Sequence, residues 1–186
     1  MAMPRSIGAV ELSSIGVGYQ VQDAILKAAN VQVLVARTIC SGKYFLLFGG
    51  PVSDVASALK AGLEAAGEAV IDHLEIPNVH EGVFPALGQS VVLEEKEVEA
   101  LGVIETFSGT SIIAACDAAA KAAKVTLFRI HVAMALGGKG LGLLSGTVAD
   151  CRAAVAAGAA EARARGLLVS EIVIPSASKE LFHEYI

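Results

Sequence analysis

The chain has 186 residues, 54 % of them hydrophobic and 18 % charged, with a mean hydropathy of +0.63 and a formal net charge of −5. The acidic balance and the lack of any basic cluster argue against nucleic-acid binding. Arg129 with His131, and Asp117 with Lys121, interrupt the most apolar stretches, so no segment reads as a membrane span and the excess of apolar surface points to burial by assembly.

Residues 1–12 carry one Arg and no apolar core of signal-peptide length, so the protein is expected to stay in the cytosol. Residues 7–12 form an apolar run that predicts a strand. In residues 20–29, Val21, Ala24, Ile25, Ala28 and Ala29 fall on one helical face, with Gln22, Asp23 and Lys27 on the other. Residues 31–39 read as a strand, Ser41-Gly42-Lys43 as a tight turn, and residues 44–49 as the next strand. Ser53 is a candidate cap for a helix carrying Val55, Ala58, Leu59, Gly62 and Leu63, which Gly67 ends. A strand over 69–76 stops at Pro77, and a short helix follows.

The same order then recurs. Asp23 and Lys27 match Asp117 and Lys121 at a spacing of 94, Gly42-Lys43 matches Gly138-Lys139 at 96, and Ile76-Pro77 matches Ile174-Pro175 at 98. A register that holds with two small insertions is a tandem repeat. The expected domains are residues 5–87 and 101–186, joined by a polar linker over 88–100. Strand–helix alternation predicts an α/β fold, each domain a mostly antiparallel sheet with helices on one face, a ferredoxin-like variant.

The D-A-x-x-K-A-A-x-V segments (Asp23 to Val31 and Asp117 to Val125), the two Gly-Lys turns and the strands ending in Ile-Pro together resemble the bacterial microcompartment (BMC) shell proteins. Within that family the chain is most similar to the tandem-domain, trimer-forming type. Lys-Ala-Ala-Asn-Val at 27–31, Thr38 to Lys43 and Val125 to Ala133 carry a narrower likeness to the T-type shell proteins of propanediol-utilisation compartments. The resemblance implies a structural protein rather than an enzyme. Three chains would make a pseudohexameric disc that tiles with other shell proteins, with no nucleic-acid or membrane partner. It implies a central pore lined by Cys40, Ser41 and Gly42 of one repeat and Leu136, Gly137 and Gly138 of the other, and edge contacts through Lys27 and Lys121. The chain departs from the single-domain motif I-P-R-P-H, reading Ile76-Pro77-Asn78-Val79-His80 and Ile174-Pro175-Ser176-Ala177-Ser178, which puts the seam contacts of the missing arginine in doubt.

Cys40, Cys116 and Cys151 lack the spacing of a metal motif within one chain. A threefold axis changes the ligand count. Three copies of Cys40 on pore-facing turns could hold a [4Fe–4S] cluster with its fourth iron left to another ligand, and the resemblance points to such a cluster, passing electrons between the lumen and the cytosol and serving encapsulated redox enzymes. Zinc on three thiolates, a plain metabolite-selective pore, and a soluble trimeric regulator that binds a small effector are the alternatives. Cys151 matches Val55 and is expected in the core, whereas Cys116 matches Gln22, which lies on the polar side of its helix, and its burial is left open. Glu11 and Glu105, duplicated at strand ends, are expected to satisfy backbone donors or a subunit contact rather than to do acid–base work. Arg129 and His131 share a strand face and suggest an interface hydrogen bond; His73, His80 and His183 show no ligand spacing. Neither Gly-Lys turn has the flanking residues of a P-loop, and Gly16-Val17-Gly18 lacks the third glycine of a dinucleotide fingerprint.

Overall fold

The computed structural model describes residues 4–94, 99–132 and 136–182. These fall into two compact units. One runs to Val79 and includes the turn ending at Gly138; the other spans His80 to Val132 and continues from Lys139. Residues 80–87 therefore belong with the second unit.

The first unit contains strand β1 (Ser6–Leu12), helix α1 (Ile15–Ala28), strands β2 (Gln32–Ile39) and β3 (Lys43–Gly50), helix α2 (Val52–Ala66) and strand β4 (Val70–Ile76). Its sheet has the order β2-β3-β1-β4 with antiparallel pairs throughout. The second unit opens with the short helix α3 (Val83–Leu87) and continues with β5 (Ala100–Thr106), α4 (Gly109–Ala122), β6 (Thr126–Val132), β7 (Gly140–Gly146), α5 (Val148–Ala164) and β8 (Leu168–Ile174). Its sheet order, β6-β7-β5-β8, repeats that of the first.

The helix α1 starts five residues earlier than the apolar periodicity predicts. Ser14 caps it, its side chain accepting from the Val17 amide, so Gly16-Val17-Gly18 lies in the first turns rather than in a loop. Ser108 caps α4 in the same way. Ser53 is not the cap of α2. That helix starts at Val52 behind Pro51, which has no side chain to offer, whereas the equivalent Thr147 caps α5 by accepting from the Asp150 amide. Gly67, with φ 53°, ends α2, and Gly166, with φ 70°, follows α5.

In the first unit α1 and α2 cover one sheet face. Val10, Leu12, Leu46 and Phe48 from the sheet pack against Val21, Ile25, Val55, Ala58 and Leu59 from the helices. In the second unit the opposite sheet face is covered too: Leu101, Phe128 and Leu143 bury themselves under Leu93, Ala177 and Phe182. Leu93 lies in the stretch expected as a polar linker, yet it is core.

Candidate functional site

Two turns carry the candidate pore residues, and they share a backbone form. The chain leaves β2 through the 3-10 turn Cys40–Gly42, in which Ser41 (φ 64°) and Gly42 (φ 71°) are both left-handed. A non-glycine residue held there costs about 1 kcal/mol, so the turn shape is imposed by the strands on either side. After β6, Gly137 (φ 62°) and Gly138 (φ 88°) make the same two left-handed steps. Cys40 and Leu136 are equivalent in position and both half-buried; Ser41, Gly42 and Gly137 are exposed. The turn ending at Gly138 sits in the first unit with Cys40–Gly42, and a Cβ on Gly138 would lie 3.5 Å from Lys43 Nζ.

Each turn is tied down by an ion pair that the sequence did not reveal. Lys43 Nζ donates to Glu11 Oε1 at 2.9 Å, and Lys139 Nζ donates to Glu105 Oε1 at 2.9 Å. Glu11 and Glu105 therefore each hold the lysine that follows the turn in their own repeat. The two pairs differ in setting. The Glu11 side chain is fully buried, whereas that of Glu105 is 29 % exposed and also accepts from Ser170 Oγ at 3.1 Å. The hydrogen bond from Lys139 holds the Glu105 carboxyl below its ordinary value, against the upward push of burial and with help from Ser170. The duplicated Glu and Lys were both visible in the sequence, but their pairing across strands was not.

The other two cysteines are unsuited to ligation. Cys116 is fully buried, which decides a burial that its match to Gln22 left open. Where α1 has Gln22 accepting from the Tyr44 hydroxyl, the second repeat has Cys116 against Gly142. Burial first, and then the Asp117 charge, push its thiol up to about 12. Cys151 is core as expected, its thiol pushed to about 11 mainly by burial. Cys40 is the one half-exposed cysteine of the three. Among the described residues of one chain, no cluster of His, Cys, Asp and Glu could hold a metal ion.

Lys27 and Lys121 end their helices and pair with Asp23 at 2.6 Å and Asp117 at 2.5 Å. Asp117 does more: its second oxygen accepts from the His80 amide at 2.7 Å. His80 Nδ1 in turn accepts from the Gly82 amide, which is a local turn and not a ligand arrangement. His73 is exposed on β4, and His183 lies outside the described residues. Arg129 and His131 are half-buried on β6, two residues apart on one face as expected. No helix among the described residues is long and apolar enough to cross a membrane.

The BMC domain family model matches residues 6–79 and again residues 100–177. The chain is 39 % identical to the bacterial microcompartment shell protein PduT of Citrobacter freundii over 99 % of both chains. It is 47 % identical to the shell protein EutM of Salmonella typhimurium over 78 residues, covering 42 % of this chain and 79 % of that one. The crystal structure of a microcompartment protein from Desulfitobacterium hafniense superposes with a TM-score of 0.86 at 43 % identity, covering 97 % of this chain and 99 % of the other.

Proposed function

The chain belongs to the BMC-domain family and is a tandem-domain microcompartment shell protein, and on that premise we propose that three copies close into a pseudohexameric ring whose pore holds a [4Fe–4S] cluster on three Cys40 thiolates. The observation that carries this reading is the disagreement between two otherwise matching turns. Both make two left-handed steps and both are followed by a lysine paired to a strand glutamate, yet one begins with Cys40 and the other with Leu136.

The donor set fits the group. A cluster needs several convergent thiolates. Cys116 and Cys151 are buried thiols with raised pKa values and supply none. Cys40 stands on a turn and is partly open to solvent, so each chain offers one ligand and a threefold axis gathers three. The fourth iron is left to a non-cysteine ligand or to solvent. When bound, the cluster supplies a one-electron carrier in the shell wall. The chain's own part is to aim and fix the turn. Lys43, anchored on buried Glu11, holds the start of β3 in place, and the Gly137-Gly138 turn lies beside it. Lys27 and Lys121 serve tiling with other shell proteins at the ring's edge. The electrons would pass to redox enzymes enclosed by the shell, and the chain itself performs no catalysis.

Iron and sulfide quantification on anaerobically isolated protein tests this. The expected result is about four irons per three chains, none in Cys40→Ser, and iron regained when Cys40→Leu is combined with Leu136→Cys. Wild-type protein that stays free of iron after anaerobic reconstitution, or that takes up zinc instead, overturns the cluster and leaves a plain selective pore.

A further inference from the structure

The lysines that follow the two turns match in sequence but not in setting. Lys43 is the first residue of β3 and pairs across the sheet with Ile39, which leaves only residues 40–42 between the paired strands. In the second repeat the pairing closes between Val132 and Gly140, so Lys139 lies outside β7, in a connection that runs over 133–139. Backbone pairing therefore fixes Lys43 at the base of the turn that begins with Cys40, and leaves Lys139 to a longer connection.

The side chains repeat the contrast. Lys43 Nζ donates to Glu11 Oε1, and that carboxylate is fully buried while the lysine side chain is 21 % exposed. The ammonium is thus the end of the pair nearer to solvent. It also lies beside the second turn, 3.5 Å from where a Cβ on Gly138 would stand. One charge is in this way placed next to both turns of the first unit. Lys139 and Glu105 form the more open pair, and water screens it. Locking the start of β3 accounts for the pair of Lys43 and Glu11, but not for the side on which its charges lie. The carboxylate is withdrawn into the core, and the ammonium is turned towards the turns.

We propose that Lys43 raises the reduction potential of the cluster held by Cys40. The inference rests on the cluster reading above and deepens it. Reduction adds one negative charge to a cluster, so a fixed positive charge beside its ligand turn favours the reduced form. A half-buried ammonium keeps more of that effect than an exposed one, because less water and salt screen it. Lys43 acts through its field and through the turn it anchors, as a positioning residue and not as a ligand. Glu11 belongs to the same device: it holds the ammonium in place and cancels part of its charge.

Midpoint potentials from an EPR-monitored redox titration of the anaerobically reconstituted full chain test this, with iron measured on every sample. Lys43→Gln removes the positive end of the pair and should lower the potential, whether Glu11 keeps its charge or takes up a proton. Lys43→Arg keeps the charge and should hold the potential near that of wild type. Glu11→Gln leaves the ammonium without its counter-charge and should raise the potential. Lys139→Gln, on the screened pair, should shift it least. The two Lys43 variants decide the matter if Glu11→Gln does not fold. Iron-loaded Lys43→Gln with the wild-type potential, or a shift in Lys139→Gln as large as that in Lys43→Gln, overturns the inference and leaves the cluster in place. A Lys43→Gln chain that takes up no iron makes the lysine a requirement for loading instead, and overturns it too. A wild-type chain that takes up no iron overturns the cluster reading and this inference with it.

Discussion

Helices α1 and α4 are the same length, start behind the same serine cap and end in the same Asp-Lys pair, yet they live in different surroundings. On α1 only Gly18, Val21 and Ile25 are buried, whereas α4 is buried on nearly every face. Their sequences have followed. Tyr19, Gln20, Gln22 and Leu26 of α1 correspond to Ile113, Ala114, Cys116 and Ala120 of α4, smaller or less polar in each place. A repeat therefore preserves what the backbone needs locally, the caps and turns, while the outward face of each helix adapts to what covers it. The core behind the helices shows a coupled exchange of the same kind. Gly18 lies under the Tyr44 ring in the first repeat, and in the second Ile112 fills the space over Gly140.

Transplanting one partner of that exchange is the strongest way to break the equivalence. In Gly18→Ile a side chain is driven into Tyr44, and overpacking of this kind costs about 3 kcal/mol. Urea unfolding should show this loss, and adding Tyr44→Gly should recover a good part of it. A single variant as stable as wild type would mean that the two cores are not complementary in the way described.

The ion pairs beneath the turns give a sharper contrast of the same sign. Glu11→Ala removes the buried partner of Lys43 and should destabilise the first unit by about 3 kcal/mol. Glu105→Ala removes a more solvated partner of Lys139 and should cost about 0.5 kcal/mol. Equal costs, read from denaturant midpoints, would show that burial does not separate the two repeats.

The smallest effect is in pH. The folded Glu105 carboxyl sits below its ordinary value of 4.5, so its contribution is present above that value and is lost as pH falls through the depressed one. Melting temperature followed from neutral pH down to the carboxylate range should decline less steeply in Glu105→Gln than in wild type. Matching profiles would remove Glu105 from the acid response.

Much of this was legible in the residues. Strand and helix order, the glycine stops and the place of both turns come from patterns within a few residues of one another. Ser14 shows the limit of that reading, because the start of α1 depends on a cap and on Gly18 fitting under Tyr44, and apolar periodicity marks neither. Cys116 shows another. Its counterpart Gln22 is polar because it meets the Tyr44 hydroxyl, and once glycine replaces that tyrosine the position becomes core.

The sequence by itself determined the duplication, the family it belongs to, and the single difference at the turns, Cys40 against Leu136, because repeats and turn chemistry are written at short range. Only the tertiary structure decided that Glu11 meets Lys43, 32 residues away, that Glu105 meets Lys139, and that Asp117 is occupied while Asp23 is exposed. Pairings of that kind depend on which strands are neighbours and on which surfaces are already covered. That is a property of the folded chain, which two matching repeats can resolve in opposite ways.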